Sequence, residues 1–234
     1  MGELHLDILV DRLFREFKVE AKVGKPQVSY RETVSQKVES IEESIRQVGN
    51  QRFYAKVSLI IEPNSKGGGF QFESEVPESK LPANLINAVQ SSIQDSLSGG
   101  ILMGYPIIDI KVRLLSVSHD AENISDTDFK IAAAKAFFAG CKKAKPTLLE
   151  PIMKVEIITP KEYVGEVINN LNLRRGVLEE IQSRKTIQVI HGVAPLKEMF
   201  GYATDLRSLT QGRGTFTMQL SHYEKVVENS STTG

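Results

Sequence analysis

Any chemistry in this chain would have to come from a short inventory. His5, His119, His191 and His222 are its four histidines, and none has the HExxH spacing of a zinc-peptidase helix. No G-x-S-x-G turn, paired catalytic cysteine or P-loop occurs, so neither a nucleophile nor a nucleotide site is expected. His191 alternates with Val189 and Val193, and His222 with Leu220, as strand residues would. The single cysteine, Cys141, cannot form an internal disulfide and falls in an apolar helical stripe. That argues against redox or metal work and fits a reducing, cytosolic compartment.

Two groups of residues could act by contact instead. Ser118–Asp128, reading SHDAENISDTD, gathers four carboxylates and one histidine between a strand and a helix. A calcium loop would need a central glycine and a terminal glutamate that this spacing lacks. The bare chemistry is that of an exposed loop whose acids favour the following helix dipole. The second group is basic. Arg174-Arg175, Arg184-Lys185, Arg207 and Arg213 fall at helix ends or turns, where side chains are expected to project freely. Guanidinium forks suit phosphate oxygens, and Gly176, Gly212 and Gly214 beside them allow close approach, as an RNA surface requires. The same residues also fit solvated turns and charge pairing at helix C-termini.

The elements that must position these residues can be read from period and punctuation. The chain has 234 residues, 41% hydrophobic and 25% charged, with 29 basic and 29 acidic side chains, so global charge selects no partner. No apolar run approaches the ~20 residues of a membrane span, and no signal peptide is evident. Met1–Phe17 is an amphipathic helix and Lys18–Val23 a strand-like segment. Together they read as the tail of a preceding domain, or as a helix packing onto the next one. After Gly24-Lys25-Pro26, strands are expected at Val28–Glu39, Phe53–Glu62 and Phe70–Val76. Gly67-Gly68-Gly69 should form a hairpin loop, since no GK[ST] or helix follows to hold a phosphate.

Lys80–Ser98 reads as a helix with Leu85, Val89, Ile93 and Leu97 on one stripe, and Pro106–Val117 as a strand carrying Ile107, Asp109, Lys111 and Arg113 on one side. Ser125 and Asp128 have capping-box spacing ahead of a helix whose stripe is mostly small: Phe129, Ala132, Ala133, Ala136, Phe137, Gly140, Cys141. Lys130, Lys135, Lys142, Lys143 and Lys145 lie outside it, as a solvated face or an RNA contact.

Beyond a short connector, Leu148–Pro151, the order becomes βαββαβ, a split ferredoxin-like arrangement. Its elements are strand Met153–Thr159, a helix opened by a capping box at Thr159–Glu162, strands Val177–Arg184 and Thr186–Val193, a second helix, and strand Thr215–Tyr223. In Glu198–Met218 (EMFGYATDLRSLTQGRGTFTM), Ala203, Leu206 and Leu209 give helical spacing and Gly212 a left-handed stop. Phe216, Met218 and Leu220 then alternate as a strand with one buried face. The fold class is α+β: two tandem α/β-sandwich-like domains, the second ferredoxin-like.

The runs MGELHLDILVDRL, GKPQVSYRET, GYPIIDIKV, KKAKPTLLEPIMKVEI and FGYATDLRSLTQGRGTF resemble translation elongation factor G over essentially the whole chain. The resemblance implies the end of domain III at residues 1–23, domain IV with a left-handed βαβ crossover at 24–147, domain V at 148–226, and a disordered tail at 227–234. GTP and magnesium would belong to an N-terminal GTPase domain outside this chain, so no catalytic residue, cofactor or metal is expected here. Domain IV would mimic a tRNA anticodon arm and promote translocation of tRNA and mRNA in the cytoplasm.

Its implied tip comprises His119-Asp120, which match the family's histidine–aspartate, and Gly49, Asn50, Gln51 and Arg52 in a neighbouring loop. There the family's SGGRGQYGHV is replaced by Val48–Val57, with only Gly49, Tyr54 and Val57 kept. That departure also fits a recycling-type paralogue working with ribosome recycling factor. A stand-alone RNA-binding adaptor is the reading from a different class. Implied contacts to large-subunit RNA are Lys197, Glu198, Met199, Phe200, Arg207 and Arg213. The implied partners are the ribosomal RNA and the tRNA–mRNA duplex, with no membrane and a monomeric state.

Overall fold

The computed structural model describes residues 27–120 and 124–227. The helix expected at Met1–Phe17, the strand after it and the tail from residue 228 lie outside the described residues. Two compact units emerge: Tyr30–Leu149 with the residues from Lys225, and Glu150–Glu224. The chain is mixed α+β with two sheets.

In the first unit, β1 (Arg31–Val34), β2 (Val38–Val48), β3 (Gln51–Pro63), β4 (Phe70–Ser74) and β5 (Ile110–His119) are joined by helices α1 (Ala83–Ser96) and α2 (Asp126–Lys143). One sheet runs in the order β2-β3-β5-β4, with β4 parallel to β5 and the other pairs antiparallel. Alternation on β3 and β5 buries Ala55, Val57, Leu59, Ile61, Ile110, Val112 and Leu114. The α1 stripe (Leu85, Val89, Ile93) closes over them, as its spacing predicts. The small-residue face of α2 brings that helix close to the sheet. A Cβ on Gly140 would stand 2.5 Å from Ile61 Cδ1 and 2.8 Å from Ser40 Cβ.

Three expectations fail here, the first two because distant partners decide local structure. Gly67–Gly69 do not turn a hairpin, because β5 lies between β3 and β4. The loop is instead fastened by Asp109, whose Oδ2 and Oδ1 accept the N–H groups of Gly67 and Gly69 at 2.9 Å each. Asp109 itself takes a positive φ of 52°, so the strand begins at Ile110, and the expected alternation through Ile107 and Asp109 is broken. Residues 40–48, left out of the strand reading, form most of β2, which pairs along its whole length with β3.

The first unit also contains β6 (Pro146–Pro160) up to Leu149, paired antiparallel to β1. The expected connector is thus part of a strand, with Leu149, Pro151 and Ile152 buried and Leu148 half-buried.

In the second unit, β6 continues into α3 (Val164–Leu173), β7 (Val177–Arg184), β8 (Ile187–Pro195), α4 (Tyr202–Leu209) and β9 (Thr215–Lys225). Pairing gives the order β9-β6-β8-β7, the ferredoxin-like arrangement the sequence predicts. Val155, Ile157, Ile190 and Ala194 meet Val167, Leu171, Tyr202 and Leu206 in its core. Gly212 takes the left-handed stop, with φ of 78° and its N–H on the Arg207 carbonyl at 2.8 Å.

The capping box at Thr159–Glu162 does not form. A 3-10 turn, Lys161–Tyr163, precedes α3, and Glu162 pairs with Arg213. The buried face expected of β9 is also partial: Phe216 packs edge-on to Tyr202 at 4.9 Å, while Met218 and Leu220 are 41% and 53% exposed.

Candidate nucleic-acid interface

Sheet register decides which of the sequence-predicted tip residues meet. β2 ends at Val48 and β3 begins at Gln51, facing each other across a two-residue turn. Gly49 supplies the positive φ, 61°, at the first central position of that turn. The expected tip loop over Val48–Val57 is therefore a correction: only Gly49 and Asn50 are loop, and Gln51 and Arg52 are the exposed start of a strand. On the other side of β3, β5 ends at His119, opposite Ala55. The hairpin turn and the His119-Asp120 loop thus share one end of the sheet. Gln51–Tyr54 overhang it, paired to β2 alone.

His119 is half-buried. Its Nδ1 lies 3.1 Å from the Asp120 carbonyl, and its ring stands edge-on to Phe129 at 5.9 Å. The four acids of this stretch do not act together. Glu122 lies outside the described residues, Asp120 is half-buried, and Asp126 is exposed and paired with Lys130 at 3.3 Å. Asp128 is buried at 1% exposure. Ser125 occupies the N-cap of α2 without a side-chain cap bond, and Asp128 accepts from Arg46 instead of closing a box. The Arg46 guanidinium beside it outweighs burial and holds the Asp128 carboxyl below the usual range.

The basic residues of the second unit divide sharply. Arg174 does not project freely. It donates to Asn170 Oδ1 at 3.2 Å, to the carbonyls of Phe200 at 3.1 Å and Glu198, and to Asp205, while covering the Tyr202 ring at 5.2 Å. Arg175, at φ 57° past the end of α3, pairs at 2.8 Å with buried Glu150. Arg213 is taken up by Glu162 and Tyr163. These three are therefore each held by named partners rather than projecting freely. Arg184, Lys185, Lys197 and Arg207 are exposed. Of the implied large-subunit segment, Glu198 and Phe200 are half-buried, and Met199 is a core residue at 3% exposure. Met199 thus anchors the segment and offers no side chain to a partner.

Sequence reasoning missed a second anchored carboxylate. Glu32, fully buried, accepts backbone N–H groups from Ile101, Leu102 at 2.8 Å, Met103 at 2.8 Å and Tyr105 at 3.1 Å. Its strand, Arg31-Glu32-Thr33-Val34, carries a second charge and a threonine, so nothing local marked Glu32 as buried. Among the described residues no cluster of three or more His, Cys, Asp or Glu could hold a metal. No described helix is long and apolar enough to cross a membrane.

Two family models match the chain: elongation factor G, domain IV, over residues 26–145, and elongation factor G C-terminus, over 147–233. Among solved structures, a crystal structure of a Thermus thermophilus protein is similar at TM-score 0.88 and 33% identity. The match covers 97% of this chain and 34% of that one, so this chain spans about a third of its length.

Proposed function

The chain belongs to the elongation factor G family, carrying its domain IV and its C-terminal domain, and on that premise we propose that it is the ribosome-engaging part of a translation factor. The first unit reaches a tRNA–mRNA duplex with the end that carries Gly49, Asn50, Gln51, Arg52, His119 and Asp120. The second contacts large-subunit RNA through Lys197, Arg207 and the segment they flank, with Arg213 and Phe200 beside them. What carries this reading, beyond the family, is the register that brings the hairpin turn and His119 to one end of one sheet.

Asp126 and Asp128 are each paired with a cation, so this end offers little net charge to phosphate and recognition rests on hydrogen bonds. With its Nδ1–H given to the Asp120 carbonyl, neutral His119 keeps Nε2 as an acceptor for a ribose hydroxyl. The factor acts in the cytoplasm, as a monomer, with residues 24–147 and 148–226 as its domains IV and V. GTP and magnesium are held by a separate GTPase domain, and this chain binds no nucleotide. Saturable GTP binding at micromolar concentration in calorimetry would contradict that.

In the full-length factor, His119→Ala should slow translocation on the order of tenfold, the size of one lost hydrogen bond at about 1.4 kcal/mol. Ribosome-stimulated GTP hydrolysis should stay nearly unchanged. Unaltered translocation in the variant would refute the role of the tip. A second reading has its own observation: of the family's hairpin pattern only Gly49, Tyr54 and Val57 remain. A recycling-type factor would barely translocate in wild-type form, but would split post-termination ribosomes together with ribosome recycling factor. Inactivity in both assays would leave the stand-alone adaptor.

A further inference from the structure

Arg46 and Asp128 are 82 residues apart in sequence; Arg46 is on β2, which leads into the hairpin turn, and Asp128 is on α2, the helix that follows the His119 loop. Arg46 lies in the overhanging part of the hairpin, opposite Phe53. Its Nε donates to Asp128 Oδ1 at 3.2 Å and its Nη2 to Oδ2 at 2.9 Å, a two-pronged guanidinium–carboxylate pair. Ser44 Oγ adds a third donor to Oδ1 at 3.4 Å, and the guanidinium lies over the Phe53 ring at 4.7 Å.

Asp128 sits in the first turn of α2, where the helix dipole also favours a negative charge. The next residue, Phe129, is buried and meets the edge of His119. A continuous chain of contacts therefore runs from the hairpin overhang through Arg46, Asp128 and Phe129 to His119.

We propose that Arg46 and Asp128 are a positioning pair that locks the Gly49-Asn50 turn and the His119 loop into one rigid recognition surface. The pair touches no substrate and acts through Phe129 and the β2–β3 overhang. A surface that recognises a duplex by a few hydrogen bonds tolerates little displacement of its donors, since a misplacement near 1 Å can cost on the order of a hundredfold in rate. An overhanging two-stranded ribbon is marginal without such a brace. The geometry separates the two members of the pair. Asp128 is fully enclosed, whereas the Arg46 side chain is 40% exposed and can be altered with little disturbance to the core.

The proposal rests on the tip reading of function, so its test has two arms that can fail separately. In the 234-residue chain, amide order parameters at Gly49 and Asn50 should fall from about 0.85 in wild type to below about 0.6 in Arg46→Met. The His119 ring resonances should shift in the same variant. Arg46→Lys, which keeps the charge but loses the fork, should fall between. It also serves as the working variant if Arg46→Met does not fold. Unchanged order and unchanged His119 resonances overturn the pair's role, whatever the factor does on the ribosome.

In the full-length factor, Arg46→Met should slow translocation roughly tenfold, and combined with His119→Ala should add little further, since both act through one surface. Fully additive losses, or losses that merely track thermal stability, overturn the proposal. Loss of order at the turn with translocation unaffected by either variant would leave the lock in place and remove the functional reading beneath it.

Discussion

Replacing Glu32 with glutamine tests whether one buried carboxylate organises the base of the first unit. The wild-type group is fully buried and gathers four backbone N–H donors, from Ile101, Leu102, Met103 and Tyr105. Glutamine keeps one acceptor oxygen and turns the other into an NH2 group facing N–H donors. Each oxygen takes two of the four bonds, so two partly buried N–H groups lose their acceptor. At about 1–3 kcal/mol for each unsatisfied group, the cost is on the order of 2–6 kcal/mol.

The same bonds set a pH signature. Burial alone would raise this carboxyl, but the donors from Met103, Leu102, Ile101 and Tyr105 together outweigh it and hold it below its ordinary 4.5. A folded pKa below the unfolded one means the stabilisation is fully present above the unfolded value and is lost as pH falls through the folded one. Urea unfolding of Glu32→Gln against wild type should therefore show the full gap at pH 7 and a closing gap below about pH 4.5. A gap under about 0.5 kcal/mol at pH 7, or one still unchanged at about pH 3, would refute the reasoning.

Other substitutions probe separate contacts. Gly140→Ala should destabilise by about 1–3 kcal/mol despite alanine's better helix propensity, because its methyl would meet Ile61 and Ser40. An unchanged urea midpoint would show that α2 can lift away. Burial pushes the Cys141 thiol up to about 12, so at pH 8 a disulfide reagent should label it only as fast as the chain unfolds, and instantaneous labelling in native buffer would contradict the packing. Arg174→Met leaves the carbonyls of Glu198 and Phe200 and the Asp205 carboxylate without their shared donor. The expected loss is about 2–4 kcal/mol, read from denaturant unfolding, and a loss below about 0.5 would mean that the Leu196–Met199 3-10 turn ahead of α4 stands without it.

Much of the architecture was legible because it is written in local period and punctuation. Leu85, Val89 and Ile93 announce α1, the small stripe of α2 announces a close helix, and Gly212 marks the stop of α4. What the sequence hid depends on partners far along the chain. Phe53–Glu62 and Phe70–Val76 look like neighbours until β5 arrives between them. Nothing local says that Asp109 will fill the glycine loop from 40 residues away. The basic residues failed in the same way. Arg174, Arg213 and Arg207 look alike in sequence, and only the fold distinguishes the first two, with partners up to 51 residues distant, from the exposed third. At the tip, His119 and Gly49 could be named from motif matches. Arg46 could not, since its partner lies across the sheet in the first turn of a helix.

The overhang of the β2–β3 hairpin has a mechanical meaning. Four residues, Gln51–Tyr54, extend past the last pairing with β5, and at about 3.4 Å each they carry the Gly49-Asn50 turn about 14 Å beyond it. That ribbon is a cantilever rooted at Ala55, and the Arg46 pair is a stay attached partway along it. Stiffness at the free end is then set by one partly exposed ion pair rather than by the apolar core beneath. With one member enclosed and both prongs hydrogen-bonded, the stay is screened little by salt, so the tip keeps its stiffness as ionic strength rises and loses it when the fork itself is removed.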